Sequence, residues 1–189
     1  MTEITDPPER NFAWSNMFVH PDDDPRGQGL LEGERASLVG FLGDQRLTLE
    51  MKCAGLDAEA MARRSVEPSN LSLLGLVRHL AAMESYWFRK VVAGQDVPRL
   101  YRTAEDPNAE FNGAVADPAL VAEAWDTWRA EVAFAQSVVE KAPNFDVTID
   151  DDGEPATLRD IVVHMIEEYA RHNGHADFLR ERIDGRVGQ

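Results

Sequence analysis

From Ile161 to Ile183 no proline interrupts the chain, and Ile161, Met165, Tyr169, Ala176, Leu179 and Ile183 recur at helical spacing. That run predicts one long amphipathic helix. Thr157 with Asp160 three residues later reads as a capping box that opens it, and Gly185 closes it. At about 100° per residue, His164, Glu168, His172 and His175 gather on the near flank of the apolar arc. Glu168 and His172 fall nearest the apolar side, while Glu167 and Arg171 point to solvent. A carboxylate and an imidazole, one turn apart, are therefore aimed at the core.

An unpaired carboxylate in such a place costs several kcal/mol. Three partners relieve that cost: water at a cleft, an internal ion pair at the edge of the core, or a metal ion. A Glu-x-x-x-His pair on one helix face gives a divalent ion two ligands from a rigid element, and a third must come from elsewhere. The spacing alone leaves these readings open.

The charge of the chain removes one class of partner. A formal net charge of -15 and a pI near 4.6 repel a nucleic-acid backbone, and no basic patch is visible. Hydrophobic residues make up 43% of the 189, enough for one domain with a substantial core. Cys53 is the single cysteine, so no intrachain disulfide forms, and it reads as a small core residue. MTEITDPPERNF lacks the basic and apolar regions of a signal peptide, and no apolar run reaches the roughly 20 residues of a membrane span. The expectation is a soluble, cytoplasmic protein.

Residues 1–27, rich in proline and aspartate, are expected to form an extended arm, with Trp14, Phe18 and Val19 against the folded body and His20 at the surface. Residues 28–189 then form a single domain. Leu31, Leu38, Phe41, Leu42 and Leu49 predict a first helix over about 30–54, stopped by Gly55. A polar connection, 57–70, follows. A second helix spans about 72–93, with Ser69 or Ser72 as cap and Gly94 as stop. Its arc holds Leu73, Leu76, Val77, Leu80, Trp87 and Val91, with His79 on the edge beside Met83. Glu84 falls inside that arc and reads first as a structural hydrogen-bond acceptor, second as a support for metal ligands.

The stretch 95–116, with Pro98, Pro107 and Gly113, is long for a loop and is expected to cover a cleft. Asp117-Pro118 opens a third helix whose stripe is Leu120, Trp125, Trp128, Val132 and Val139. Val147 and Ile149 suggest a short strand or turn. Asp150-Asp151-Asp152-Gly153 lacks the glutamate that an EF-hand loop needs, since Arg159 stands there, and reads as a solvated turn. Four amphipathic helices, with the long loop between the second and third, predict an all-α four-helix bundle.

Ser72-Leu73-Leu74-Gly75-Leu76-Val77-Arg78-His79-Leu80, followed by Glu84 and Trp87, resembles the second helix of the DinB/YfiT-like superfamily. The stretch from His164 to Asp177 resembles its fourth. The match runs from about residue 30 to 185 and is similar to the actinobacterial group related to mycothiol-dependent enzymes. The resemblance implies a metal in the core of the bundle, held by a histidine of the second helix and a His-x-x-x-His pair of the fourth. His79 matches the first ligand. Glu168 and His172 match the pair, with glutamate in place of a histidine, a departure shared with mycothiol-dependent maleylpyruvate isomerase, where a His/Glu/His set holds zinc. His164 and His175 match positions common in this group, expected to orient the ligands by hydrogen bonds, or else to replace one.

Zinc is the expected ion and nickel the alternative. Two imidazoles and one carboxylate leave coordination positions open, where a low-molecular-weight thiol such as mycothiol becomes a thiolate and attacks a small electrophile. The resemblance thus implies a metal-dependent thiol S-transferase or a thiol-assisted isomerase. Two rivals use the same ligands: a hydrolase that generates hydroxide, and a metal-binding or structural bundle without turnover. Phe178, outside the main apolar arc, marks a candidate homodimer contact.

Overall fold

The computed structural model describes residues 16–27, 29–151 and 153–187. Trp14 and Asp152 lie outside the described residues. Nearly all the regular structure is helical. Helix α1 spans Gly33–Cys53, α2 Ala58–Ala62 and α3 Leu73–Glu84, which continues as a π-helical stretch over Ser85–Val92. Helix α4 spans Ala109–Asn112 and α5 Pro118–Lys141. A hairpin of β1 (Thr148–Asp151) and β2 (Glu154–Thr157) leads into α6, Leu158–Asp184.

The caps explain several boundaries. Ser72 Oγ accepts from Gly75 N–H at 3.1 Å and fixes the start of α3. Asp117 caps α5, with Pro118 at its first position. Thr157 and Asp160 form the reciprocal capping box of α6, and Gly185 ends it in the left-handed region at φ 77°. The polar connection after α1 contains α2, capped by Asp57, which at five residues is too short to carry a periodic pattern.

Helix α1 packs chiefly on α6, and α3 packs on α5 and α6. Helix α3 is buried almost all round: Leu73, Leu74, Leu76, Val77, Leu80 and Ala81 are fully enclosed. The expected stripe of α1 needs correction. Phe41 is 58% exposed, and the buried positions include Leu42, Arg46, Leu49 and Cys53. An arginine occupies the inward stripe because it meets Glu84, whose carboxylate is fully buried. Arg46 Nε and Nη2 each donate to Glu84 at 2.8 Å.

Arg180 of α6 donates through Nη1 to the carbonyls of Lys52 and Ala54, at 2.8 and 2.9 Å, closing the end of α1. The described part of the arm lies there too. Val187 N–H donates to Asn16 O at 2.9 Å, and Lys52 and Arg180 stand 5.8 and 5.7 Å from the Phe18 ring. His20 is exposed and accepts from Asp22 N–H. Among the described residues no helix is long and apolar enough to cross a membrane.

Candidate metal centre

Helices α3 and α6 bring three donors together. His79 projects from the middle of α3, and Glu168 and His172 from successive turns of α6. His79 Nε2 lies 3.0 Å from Glu168 Oε1, and His172 Nε2 lies 3.2 Å from the same oxygen. All three donor atoms fall within 4.8 Å of one another. Ligands bound about 2.1 Å from a tetrahedral ion sit roughly 3.4 Å from each other. The two measured edges are close to that figure. Borderline nitrogen and hard oxygen donors also suit a divalent ion such as zinc. By geometry and by donor chemistry, these residues could hold one.

Electrostatics point the same way. Hydrogen bonds to His172 first, and then to His79, hold the Glu168 carboxyl far below the usual carboxylate range, against the opposing effect of burial. A carboxylate kept charged among two imidazoles is a ready receptor for a cation. Arg171, expected to face solvent, does expose most of its side chain, yet its Nη1 reaches back to Glu168 Oε2 at 3.1 Å. One carboxylate oxygen is thereby held while the other faces the imidazoles.

The remaining expected residues divide. His175 joins the group: its Nδ1 lies 3.3 Å from His172 Nδ1, and burial, followed by the charge of His172, pushes its pKa down. His164 does not join it, and packs edge-on against Trp87 with ring centroids 4.8 Å apart. Glu84 is engaged by Arg46 and by Tyr169, whose hydroxyl donates to it at 2.8 Å.

Two residues escaped the sequence reading. Glu110 and Phe111, both in α4, lie over the outer side of His79. Glu110 Oε1 is 3.3 Å from His79 Nδ1, and the Phe111 ring stacks on the imidazole at 5.3 Å and 27°. The long connection does cover something: it covers this histidine. A cavity of about 670 Å³ lies elsewhere, between α1 and α5, lined in part by Val39, Leu42, Val139 and Val162.

The family model described as Mycothiol-S-transferase matches residues 37–185. The chain belongs to the mycothiol S-transferase family. That span begins inside α1 and ends at the cap of α6, so all three donors of the centre fall within the mycothiol S-transferase match. Membership links the chain to a small-molecule thiol and to transferase chemistry. Neither the curated proteins nor the solved structures contain a match to the chain.

Proposed function

We propose that this chain is a metal-dependent thiol S-transferase built as a single four-helix bundle. His79, Glu168 and His172 hold one divalent ion, zinc in the first instance, and mycothiol or a similar thiol attacks a small electrophile beside it. The observation that carries this reading is the convergence of three donor atoms from two helices on one point, in a member of the mycothiol S-transferase family. When bound, the ion supplies a Lewis-acidic open position at which a thiol gives up its proton more readily than in water.

The residues of the chain do the holding and the shielding. Glu168 contributes the negative charge that offsets part of the charge of the cation, and Arg171 fixes its outer oxygen. The two imidazoles present Nε2 toward Glu168, which leaves each Nδ1 to a neighbour: Glu110 for His79, His175 for His172. With a metal on its Nε2, His172 would carry its proton on Nδ1 and donate a hydrogen bond to His175 Nδ1. Phe111 lies on the His79 ring and excludes water from that side. The thiol that reacts comes from the co-substrate, since Cys53 is buried and burial pushes its pKa up to about 12.

Metal content of the purified protein, followed by assays with mycothiol and a panel of electrophiles, tests the reading. The expected result is close to one zinc or nickel per chain, lost in Glu168→Ala and in His172→Ala, with thiol-dependent turnover lost alongside. Full metal retention in either variant refutes the ligand assignment. Turnover that does not depend on the thiol points to hydrolysis, and metal without turnover to a non-catalytic bundle.

A further inference from the structure

Helix α4 is not draped loosely over the centre; it is seated on α3. Gly75 makes room for it, because a Cβ there would stand 2.9 Å from Phe111 Cδ1. Arg78 Nη2 donates to Ala109 O at 3.1 Å, and the Arg78 guanidinium is itself stacked 4.1 Å from the Tyr101 ring. Tyr101 takes φ 60°, a conformation an L-residue adopts only when its surroundings require it. These contacts set Glu110 over His79, with only 13% of the glutamate side chain exposed. The Glu110 carboxylate therefore meets Nδ1 while Nε2 faces Glu168.

We propose that Glu110 is a positioning residue for the cation site. Its carboxylate accepts a hydrogen bond from the Nδ1–H of His79. That fixes the tautomer whose Nε2 lone pair is free to ligate, and it holds the ring in the orientation that reaches the other two donors. The proposal rests on the metal reading above and adds a mechanical link to it. Filling the centre fastens His79, and through it the segment 108–113 that carries Glu110 and Phe111.

The test compares zinc affinity in wild type, Glu110→Gln and Glu110→Ala, by competition with a chromophoric chelator. Amide hydrogen exchange over 108–113 is followed with and without zinc. Loss of a carboxylate partner behind a ligating histidine lowers metal affinity by about 10- to 100-fold. Glu110→Ala is expected to show that loss, with the melting temperature of the metal-free protein unchanged. Glu110→Gln, which keeps a carbonyl acceptor, should lose less. Zinc should slow exchange over 108–113 in wild type and not in Glu110→Ala.

Wild-type affinity in Glu110→Ala overturns the positioning role and leaves the three-ligand centre standing. If the alanine variant is destabilised, Glu110→Met, similar in volume and without the carboxylate acceptor, decides, and wild-type affinity together with zinc-slowed exchange there overturns the proposal. A wild-type protein that binds no zinc sinks the metal reading and this proposal with it.

Discussion

The Tyr169 hydroxyl donates to Glu84 Oε1 at 2.8 Å and accepts from Trp128 Nε1 at the same distance. Arg46 completes the group from α1. Glu84 is thus neutralised inside the core, while Glu168, the residue before Tyr169, turns to the imidazoles. These two of the buried glutamates have separate work. Removing one partner of a buried ion pair leaves an uncompensated charge and costs about 3–5 kcal/mol. Glu84→Gln is expected to lower the urea unfolding free energy by that order and to leave zinc affinity intact. A loss of zinc affinity in a still-folded Glu84→Gln protein would tie the two groups together.

Zinc should raise the melting temperature in a concentration-dependent way, because the unfolded chain lacks the converged donors. At a free concentration 100 times Kd, binding adds about 2.7 kcal/mol. Differential scanning fluorimetry across a zinc titration reads this directly. His172→Ala should show no shift over the same titration; an equal shift would place the stabilising ion elsewhere.

Cys53 is expected to be inert in the folded protein. Burial pushes its thiol up to about 12, so almost no thiolate exists at neutral pH. Titration with Ellman's reagent at pH 8 should register no thiol in buffer and one per chain in denaturant. Cys53→Ala should retain thiol-transfer activity, and loss of that activity would reopen the question of the nucleophile.

Stability should fall in acid through carboxylates outside the metal centre as well as through Glu168. Hydrogen bonds from Arg26, Arg159 and Thr157 hold Asp24, Glu34 and Asp160 respectively below their ordinary values. The unfolded chain therefore takes up protons near pH 4.5 before the folded chain does, and the difference favours unfolding as the pH drops further. Stability from these groups is fully present above about pH 5 and declines from there toward pH 3. The urea midpoint should track that decline, and Asp24→Asn with Asp160→Asn should flatten it. An unchanged slope in the double variant would assign the acid sensitivity to other carboxylates.

What could be read from the sequence was local. Helix α6 announced itself through its unbroken period, Thr157–Asp160 and Gly185, and the start of α3 through Ser72. The Glu168–His172 pair was visible because both residues sit on one helix, four apart. His79 was reached by resemblance, since no pattern within the chain says which α3 residue meets α6. Arg46 was missed, and Phe41 misplaced, because the inward stripe of α1 follows a charge partner 38 positions away. Glu110 and Phe111 lie in a four-residue helix inside a stretch with no period. Their meeting with His79 depends on how α4 is seated, and no spacing rule encodes that. The π-helical stretch was invisible for a related reason: Ala93 N–H reaches back five residues to Phe88 O, a choice made by surrounding contacts.

Helix α6 is a single rod of 27 residues, about 40 Å long, clamped by its capping box, by Tyr169 in the core and by Arg180 under α1. Two of the three donors ride on it. They inherit its stiffness and have little freedom to shift relative to one another. On the proposed reading, tolerance for different acceptors has to come from the wall opposite, residues 95–116. Reshaping that wall would let the same inflexible centre serve a new acceptor without being retuned.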